Sequence, residues 1–454
     1  MIDVDPAVRE ELAAVLGDIV STDEADLVGA RADRSGRVSE TAPLALVTAR
    51  TIDDVQATMR FANERRIPVV PRGAGTGLAG GAIGGQGEIV LSTLAMDRIL
   101  GVNVDDELAV VQPGIINDDL NAALEPRGLW FAPDPASKAI STVGGNIATN
   151  AGGLLCAKYG VTREAVLGMK VVLADGRLLS LGHRTVKGVT GYDLTALMIG
   201  SEGTLGVIVE ATLKLRALPS GQKATIGAYF DTVEQAARAS AVITASRIRP
   251  AAMELIAQSA LQGIGDYLGL DLGPRGSYLL VQMDGAAAAI EAEAAVAIIR
   301  SLGGDAEITT NDAEGERLFA IRRAFHPAMS SQGTALIEDV AVPRSQLPAM
   351  FAAITRIEEK YGIVIPTVAH AGDGNLHPNF VFPGTEVPAH VWEAADELFQ
   401  ACLRLGGTLT GEHGVGLLKR RWLRQELGDD QVDLQVELKR VFDPNGILNP
   451  GKVF

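Results

Sequence analysis

Apolar and polar positions alternate along the first half of the chain with two periods, one helical and one typical of strands. Residues 51–66 repeat apolar side chains at helical spacing behind Thr51, a residue type that caps helices, and acids follow in the first turn. Apolar runs lie on both sides of Asp175-Gly176 within residues 165–182 and predict a hairpin. The same patterns predict strands at 67–70, 88–94, 108–114 and 207–218, and a helix at 115–128.

Beyond residue 219 strands and helices alternate more regularly. Two strand–helix–strand sets are predicted, the first at 224–230, 231–246 and 251–256 and the second at 278–284, 285–302 and 305–310. Such a succession is typical of an α+β domain. Further helices are predicted at 345–360 and 388–405, and the C-terminal residues 417–454 are mainly helical.

Length and charge restrict the class of protein. The 454 residues are enough for two or three domains. Lys and Arg number 40 and Asp and Glu 56, so the net charge is −16, which argues against general nucleic-acid binding because the phosphates would be repelled. Two cysteines exclude a disulfide scaffold and a cysteine-based metal site, and they fit a reducing compartment. With no secretory signal and no apolar run of about 18 residues visible, we expect a cytoplasmic protein; peripheral membrane attachment stays open.

Glycine is over-represented, with 51 residues where an average composition gives roughly 32. The run RGAGTG at 72–77 follows a strand, but neither a helix-forming segment nor Gly-Lys-Ser/Thr comes next, which argues against a Rossmann fingerprint and a Walker loop. A loop whose N–H groups wrap a pyrophosphate and a flexible cluster of turns are the alternatives left. Two more segments of small, hydroxyl and amide residues, at 133–153 and 199–208, favour a bound dinucleotide-type cofactor.

The motifs RGAGTG, PDPASKAISTVGGNIATNAGG and GYDLTALMIGSEGTLGVI, in this order, resemble the FAD-binding domain of the vanillyl-alcohol-oxidase type. More closely, essentially the whole chain resembles the FAD-linked D-2-hydroxyacid dehydrogenases, a family that includes D-lactate dehydrogenase, the glycolate oxidase D subunit and D-2-hydroxyglutarate dehydrogenase. The resemblance implies an α+β fold: an FAD-binding domain of the p-cresol methylhydroxylase type at 1–218, a ferredoxin-like substrate and metal-binding cap domain at 219–416, and a short helical segment at 417–454 that returns to the FAD domain.

The resemblance also implies which residues hold FAD. Some relatives attach the flavin covalently through a histidine in the first loop, and because residues 71–87 contain none, we expect noncovalent FAD. Asn449 has two interpretations, a contact with the flavin and a simple C-terminal turn. The implied FAD-binding residues are Pro71, Arg72, Gly73, Ala74, Gly75, Thr76, Gly77, Pro133, Asp134, Ser137, Ser141, Gly144, Gly145, Asn146, Glu202, Gly203, Ile208 and Asn449.

Histidine is scarce, and half of the six histidines lie in two glycine-rich C-terminal segments. His370 and His377 flank a Gly-Asp-Gly turn, and Glu412 stands next to His413. Two histidines and one glutamate with an open position form a familiar catalytic zinc or manganese set, whereas satisfied structural histidines are the alternative. The resemblance implies His370, His377 and Glu412 as ligands of a divalent metal (Zn²⁺ first, with Mn²⁺ and Fe²⁺ open). It implies His413 as the general base and Asn379 as a polar neighbour of the substrate.

A hydroxyacid needs a cation for its carboxylate, and Arg322 and Arg323 lie on a predicted helix. A solvated helix face is the alternative role for both, and the resemblance selects Arg322 as the anchor. The hydroxyglutarate branch of the family generally carries a lysine before Asp339, where this chain has Glu338. A second substrate carboxylate would therefore lack a partner, which favours a small monocarboxylate such as D-lactate or glycolate.

The function implied is FAD-dependent oxidation of a small D-2-hydroxyacid to the 2-oxoacid. Alternatives are a D-2-hydroxyglutarate dehydrogenase, a flavin subunit of a multi-subunit glycolate oxidase, and an aryl-alcohol or sugar-lactone flavoprotein on the same FAD domain. Quinone, cytochrome, electron-transferring flavoprotein and an iron–sulfur subunit are all open as the electron acceptor, and a homodimer stays open too.

Overall fold

The computed structural model describes residues 6–272, 276–384 and 386–454. In chain order its strands are β1 (Val20–Ser21), β2 (Ala45–Thr48), β3 (Val69–Arg72), β4 (Ile89–Ser92), β5 (Ile99–Asn103), β6 (Leu108–Val111), β7 (Leu129–Trp130), β8 (Val166–Val172), β9 (Leu178–Gly182), β10 (Val207–Lys214), β11 (Arg216–Ala217), β12 (Ala224–Phe230), β13 (Ala252–Ala257), β14 (Ser277–Met283), β15 (Asp305–Thr309), β16 (Thr334–Ile337), β17 (Val340–Ala341), β18 (Thr367–His370) and β19 (Asn375–Phe382). Its helices are α1 (Pro6–Leu16), α2 (Glu24–Ala30), α3 (Ile52–Arg65), α4 (Asn117–Leu124), α5 (Val143–Thr149), α6 (Cys156–Tyr159), α7 (Leu194–Met198), α8 (Val233–Ala245), α9 (Gln258–Leu268), α10 (Ala288–Ser301), α11 (Asp312–Arg323), α12 (Phe325–Gln332), α13 (Leu347–Tyr361), α14 (Ala389–Arg404), α15 (Leu423–Leu427) and α16 (Asp429–Phe442).

These elements form two compact units, each built from separate stretches of chain. The first unit comprises Met1–Gly152, Gly160–Leu218 and Glu412–Phe454, and the second comprises Gly153–Tyr159 and Pro219–Gly411. The sequence analysis divides the chain after residues 218 and 416, whereas the structure groups residues 412–416 with the first unit. It also groups residues 153–159 with the second unit, where the carboxylate of Asp284 binds both Lys158 and Tyr159.

The first unit contains two larger sheets. Strands β2, β3 and β4 pair in parallel, with β1 antiparallel at one edge, and the antiparallel second sheet has the order β5-β6-β10-β8-β9. The predicted helix at 51–66 is confirmed as α3, where Thr51 and Asp54 form a reciprocal capping box and Met59 is buried in the core beside the parallel sheet. The predicted hairpin is confirmed as β8 and β9.

Helices α1, α2, α5 and α7 of the first unit were not predicted, and α5 has a clear structural cause. Helix α5 lies within the glycine-rich segment 133–153, where Thr142 caps its first turn and Asn150 ends it in the left-handed region. Gly144 lowers helix propensity, but a Cβ atom there would lie 2.5 Å from Pro113, so the close packing requires glycine. The packing outweighs the low helix propensity of glycine at this position.

The second unit contains one large sheet with a ferredoxin-like half. Its order is β15-β12-β14-β13-β18-β19-β16, with β17 paired to β19. The first four strands are mutually antiparallel, and α8 and α10 follow β12 and β14 along the chain, which gives the βαββαβ connectivity of a ferredoxin-like fold. Both predicted strand–helix–strand sets are thus confirmed, and the capping box at Thr232 explains where α8 begins.

The C-terminal segment returns to the first unit. Leu448 forms a parallel bridge with Val69 of β3, and the backbone N–H of Asn449 donates to the carbonyl of Val69 at 2.8 Å. Within the described ranges, none of the helices combines the length and the apolar character that crossing a membrane requires.

Candidate functional site

Three glycine-rich segments of the first unit lie against one another. A Cβ atom on Gly73 would lie 2.4 Å from the hydroxyl of Thr142, so the first segment touches the second. Gly203 lies beside Pro71, whose ring carbon would come within 3.1 Å of an added Cβ, so the third segment touches the first. The structure therefore brings together the three segments that the sequence analysis assigned to a cofactor.

The first segment is wrapped around the guanidinium of Arg72. Its Nη1 donates to the carbonyl of Ala82 at 2.7 Å, while a Cβ atom on Gly75 would lie 2.2 Å from Nη2. Gly75 has a φ of +67°, so both the backbone conformation and the close approach call for glycine. Burial lowers the pKa of Arg72, and the charge of Asp33 opposes that shift. The loop, completed by Ala74, Thr76 and Gly77, presents bare backbone beside a cation, as a pyrophosphate would require.

The second segment is held by a chain of amide side chains. The Nδ2 of Asn146 donates to the hydroxyl of Ser141 at 3.2 Å, and its Oδ1 accepts from Asn117 at 3.3 Å. Asn117 also donates to the carbonyl of Pro133 at 3.1 Å. These bonds connect predicted FAD-binding residues through a buried asparagine that the sequence analysis did not single out. Of the remaining predicted residues, Asp134 is buried, Ser137 is half-buried, and Gly144 and Gly145 lie in α5.

Glu202 uses its carboxylate to hold the loop that follows His413. It accepts hydrogen bonds from the backbone N–H groups of Val415, at 2.7 Å, and Gly416, at 2.9 Å. Burial raises the pKa of Glu202 to about 7, although these two N–H groups and the charge of Lys419 lower it. Because both carboxylate oxygens bind this loop, Glu202 fixes the loop's position within the first unit.

Asn449 reaches into the same region from the C-terminal segment. Its Nδ2 donates to the carbonyls of Gly81, at 2.9 Å, and Glu202, at 2.8 Å. Its Oδ1 is buried without a hydrogen-bond partner among the described residues, and a buried acceptor in that state calls for a ligand or water. Ile208 lies half-buried on β10, opposite Val171 of β8.

Three neighbouring strands of the second unit place Glu254, His370 and His377 on one face of the sheet. Glu254 of β13 is directly opposite His370 of β18, and His377 of β19 is opposite Val368, two residues before His370. Alternate residues of a strand share a face, so the hairpin turns both imidazoles the same way. Their ring centroids lie 5.0 Å apart at an interplanar angle of 83°.

Glu254 joins His370 to Arg322. Its carboxylate lies 2.8 and 3.0 Å from Nδ1 of His370 and accepts from Nε of Arg322 at 2.7 Å. Glu254 has no solvent exposure, and the Arg322 side chain is 14% exposed. The neighbouring Arg323 instead pairs at the surface with Glu316, so the two arginines of α11 occupy different environments.

A second buried carboxylate lies beside His377. Asp339 accepts from the amide of Asn375 and from the hydroxyl of Thr410, both at 2.6 Å, and its Oδ1 lies 3.7 Å from Nδ1 of His377. Asn379 shares the strand face of His377, and its buried Oδ1 has no hydrogen-bond partner among the described residues. This face of the sheet therefore carries imidazoles, carboxylates and an amide within one cluster.

Glu412 and His413 open the last stretch of the first unit. The Nε2 of His413 lies 3.9 Å from a carboxylate oxygen of Glu412, and both side chains are largely buried. A Cβ atom on Gly152 would lie 2.6 Å from the other carboxylate oxygen of Glu412, so a larger residue there would displace the Glu412 side chain. The predicted metal and catalytic residues are thus placed on two units, His370 and His377 on the second and Glu412 and His413 on the first.

Two family models match the chain. Residues 220–453 match the C-terminal domain of FAD-linked oxidases, and residues 43–182 match an FAD-binding domain. A glycolate oxidase subunit GlcD from Bacillus subtilis is 40% identical over 420 residues, which cover 91% of this chain and 89% of that protein. The chain belongs to the FAD-linked oxidase family. The predicted FAD cofactor and the predicted oxidoreductase class are confirmed.

Other relatives of this FAD-linked oxidase have different names. A D-lactate dehydrogenase from Archaeoglobus fulgidus is 37% identical over 436 residues, which cover 92% of this chain and 95% of that protein. A D-2-hydroxyglutarate dehydrogenase from Stutzerimonas stutzeri is 33% identical over 471 residues, which cover 99% of each chain. The predicted resemblance is therefore confirmed at the level of the family.

The fold prediction is confirmed by solved structures. A p-cresol methylhydroxylase with substrate bound superposes with a TM-score of 0.81 at 18% sequence identity, covering 100% of this chain and 97% of that one. At this identity the similarity establishes the fold of the FAD-linked oxidase and carries no inference about substrate.

The sequence analysis of this FAD-linked oxidase did not find Glu254, Asp339 or Thr410 as site residues. One signal was available, since Glu254 is the single charged residue of the apolar strand β13. Charged side chains are rarely buried without a partner, so its position pointed to a buried pair. No comparable signal marked Thr410, whose role follows from tertiary structure.

Proposed function

We propose that this FAD-linked oxidase oxidises a small D-2-hydroxyacid, D-lactate or glycolate, to the corresponding 2-oxoacid. The single observation that carries the proposal is the cluster in which Glu254 holds both His370 and Arg322, beside His377. Such a cluster offers imidazole ligands for a metal and a cation for a carboxylate, the two functions that the proposed metal-assisted oxidation of a hydroxyacid uses. The named relatives include a glycolate oxidase subunit, a D-lactate dehydrogenase and a D-2-hydroxyglutarate dehydrogenase.

His370, His377 and Glu412 are proposed as ligands of a divalent metal, zinc before manganese or iron. The donor set fits, because Glu254 occupies Nδ1 of His370 and leaves Nε2 as a ligand atom. Thr410 is fixed by Asp339, and Glu412 follows it by two residues, which span about 7 Å at most. Because Glu412 follows Thr410 so closely in the chain, we expect it to be the third ligand.

In the proposed reaction each side chain has a separate task. Arg322 binds the substrate carboxylate, and Asn379 binds a polar group of the substrate through its unpaired Oδ1. His413 takes the hydroxyl proton at a ring nitrogen. When bound, noncovalent FAD would accept the hydride that leaves the substrate Cα, and the metal would lower the pKa of the substrate hydroxyl.

The choice of a monocarboxylate rests on Glu338. It is buried directly before Asp339, where the family's hydroxyglutarate branch generally carries a lysine, and a carboxylate there would repel a second substrate carboxylate. D-2-Hydroxyglutarate is the alternative substrate, favoured by the similarity to a D-2-hydroxyglutarate dehydrogenase over the whole chain.

The partner that reoxidises the flavin is proposed by class only. A quinone, a cytochrome, an electron-transferring flavoprotein or an iron–sulfur subunit would serve, and the name of the GlcD relative, a subunit, favours a protein partner. We also propose a cytoplasmic location; peripheral membrane attachment and a homodimer stay open.

The decisive experiment is an anaerobic visible spectrum of the zinc-supplemented protein before and after D-lactate, L-lactate, glycolate or D-2-hydroxyglutarate. We expect the flavin bands to bleach with D-lactate or glycolate and to persist with L-lactate. Bleaching by D-2-hydroxyglutarate alone would assign the alternative substrate. Flavin bands that none of the acids bleaches would overturn the hydroxyacid proposal.

A further inference from the structure

Glu254 is an unusual residue for its position in the sheet. It lies in the middle of an apolar strand with no solvent exposure, and its one carboxylate receives both Nδ1 of His370 and Nε of Arg322. Burying an ion pair gives little or no net stability relative to an apolar replacement. A role beyond stabilising the fold is therefore worth testing.

The first partner gains a defined tautomer. An ionised carboxylate only accepts hydrogen bonds, so the proton of neutral His370 lies on Nδ1, facing Glu254. Nε2 then carries the lone pair, which is the form of imidazole that ligates a metal. Because the two residues are directly paired across β13 and β18, the hydrogen bond from Nδ1 of His370 to the Glu254 carboxylate restrains rotation of the ring.

The second partner gains a defined plane. The guanidinium of Arg322 is rigid and flat, so fixing Nε against Glu254 also fixes where both Nη groups lie. The contacts described for this side chain involve Nε alone, which leaves the Nη pair as the donors for an anion. One carboxylate thus orients two groups that come from a strand hairpin and from a helix.

We propose that Glu254 is a positioning residue that aligns the metal ligand His370 with the carboxylate anchor Arg322, so that one side chain sets the geometry of both. This inference rests on the proposed function. A purely structural role, in which Glu254 only neutralises Arg322 in the interior, is the competing explanation, and it predicts no effect on metal affinity.

The test compares Glu254→Gln with Asp284→Asn, which removes a buried carboxylate that binds Lys158 in the same unit. Zinc affinity of the metal-stripped proteins is measured by competition with a chromophoric chelator, and KM and kcat with the hydroxyacid that bleaches the flavin. Glutamine keeps one acceptor oxygen but replaces the other with an NH2 group, which cannot accept from Nδ1 of His370 or Nε of Arg322. We expect Glu254→Gln to weaken zinc binding about 10–100-fold and to raise KM at least about tenfold, and Asp284→Asn to change neither.

A second pair of variants, Arg322→Ala and Arg322→Ala with Glu254→Gln, separates the effect of Glu254 on His370 from its effect on Arg322. In an Arg322→Ala background, adding Glu254→Gln should leave KM unchanged, because the anchor is already gone, and should still weaken zinc binding. The double variant also removes the unpaired buried charge that could unfold Arg322→Ala alone.

Unchanged zinc affinity in folded Glu254→Gln, or the same losses in Asp284→Asn, would overturn the positioning role while the proposed function stands. A wild-type protein that binds no zinc and is reduced by none of the acids would overturn the proposed function and this inference with it.

Discussion

The hydroxyl of Thr410 donates a 2.6 Å hydrogen bond to Asp339, a carboxylate with no solvent exposure. Asp339 also accepts from Asn375, the first residue of the strand that carries His377. Through Asp339, Thr410 is therefore connected to the strand that carries His377, one proposed metal ligand. Thr410 precedes Glu412, another proposed ligand, by two residues.

Replacing Thr410 with valine keeps the shape and removes this bond. Because the acceptor is a buried carboxylate, we expect the free energy of unfolding to fall by about 1.5–3 kcal/mol. We also expect zinc affinity to fall about tenfold, as for the loss of other groups that support metal ligands. Urea denaturation and chelator competition measure the two effects. The matched control is Thr355→Val, whose hydroxyl bonds to the carbonyl of Phe351 within α13 and should leave zinc affinity unchanged.

His413→Ala tests the proposed base. The variant should keep its flavin spectrum and bind zinc, since neither His370 nor His377 is altered, yet its flavin should not be reduced anaerobically by the hydroxyacid. Stopped-flow absorbance gives the rate of reduction, and His390→Ala, at an exposed position of α14, serves as control. A wild-type rate of reduction in His413→Ala would remove this residue from the mechanism.

Arg322→Lys tests the carboxylate anchor while keeping the charge that Glu254 requires. Lysine cannot present two Nη donors, so we expect KM to rise about 10–100-fold, equivalent to the loss of a charged hydrogen bond. Steady-state kinetics with an artificial electron acceptor measure it. Arg323→Lys, one residue along the same helix in an exposed ion pair, should stay within about twofold of the wild type. Equal effects of the two substitutions would exclude Arg322 as the anchor.

Gly75→Ala should release FAD. The added Cβ atom would lie 2.2 Å from Nη2 of Arg72, at a φ of +67°, so the loop and the guanidinium must separate. The flavin-to-protein absorbance ratio of the purified protein measures retention. Gly128→Ala is the matched control, because its φ is +71° but no atom lies within 4 Å of the new Cβ. A strained backbone without a clash should cost about 1–2 kcal/mol of stability and leave FAD bound.

Much of the fold follows from local sequence signals. The capping box of Thr51 and the turn at Asp175-Gly176 act over a few residues, and each element they predict is present. The second unit was predictable for the same reason, since its strand–helix–strand sets lie in continuous sequence. Helix α5 was missed because the packing of Gly144 on Pro113 is a tertiary contact that no local rule reveals.

The sequence predicted only those site residues that lie within recognisable local motifs. His370 and His377 share one hairpin, so their meeting followed from seven residues of sequence. Glu254 precedes His370 by 116 residues, and its two partners come from different elements, so no spacing rule connects them. The groups that orient a site, unlike those that perform its chemistry, are specified by the pairing of distant strands.

Glu202 should give the protein a stability that falls as pH rises. Its pKa is about 7 in the fold against an ordinary value of 4.5, so between these pH values the folded state holds a proton that the unfolded state has lost. The contribution is complete below about pH 4.5 and is lost as pH rises through about 7, which amounts to about 3 kcal/mol. Glutamine cannot titrate, so the difference in unfolding free energy between wild type and Glu202→Gln should change across this range. Urea denaturation at closely spaced pH values measures the difference.

Lys419→Met should move the loss of stability to higher pH, because the charge of Lys419 lowers the pKa of Glu202. Parallel curves for wild type and Glu202→Gln would show that the carboxylate stays ionised on the amides of Val415 and Gly416.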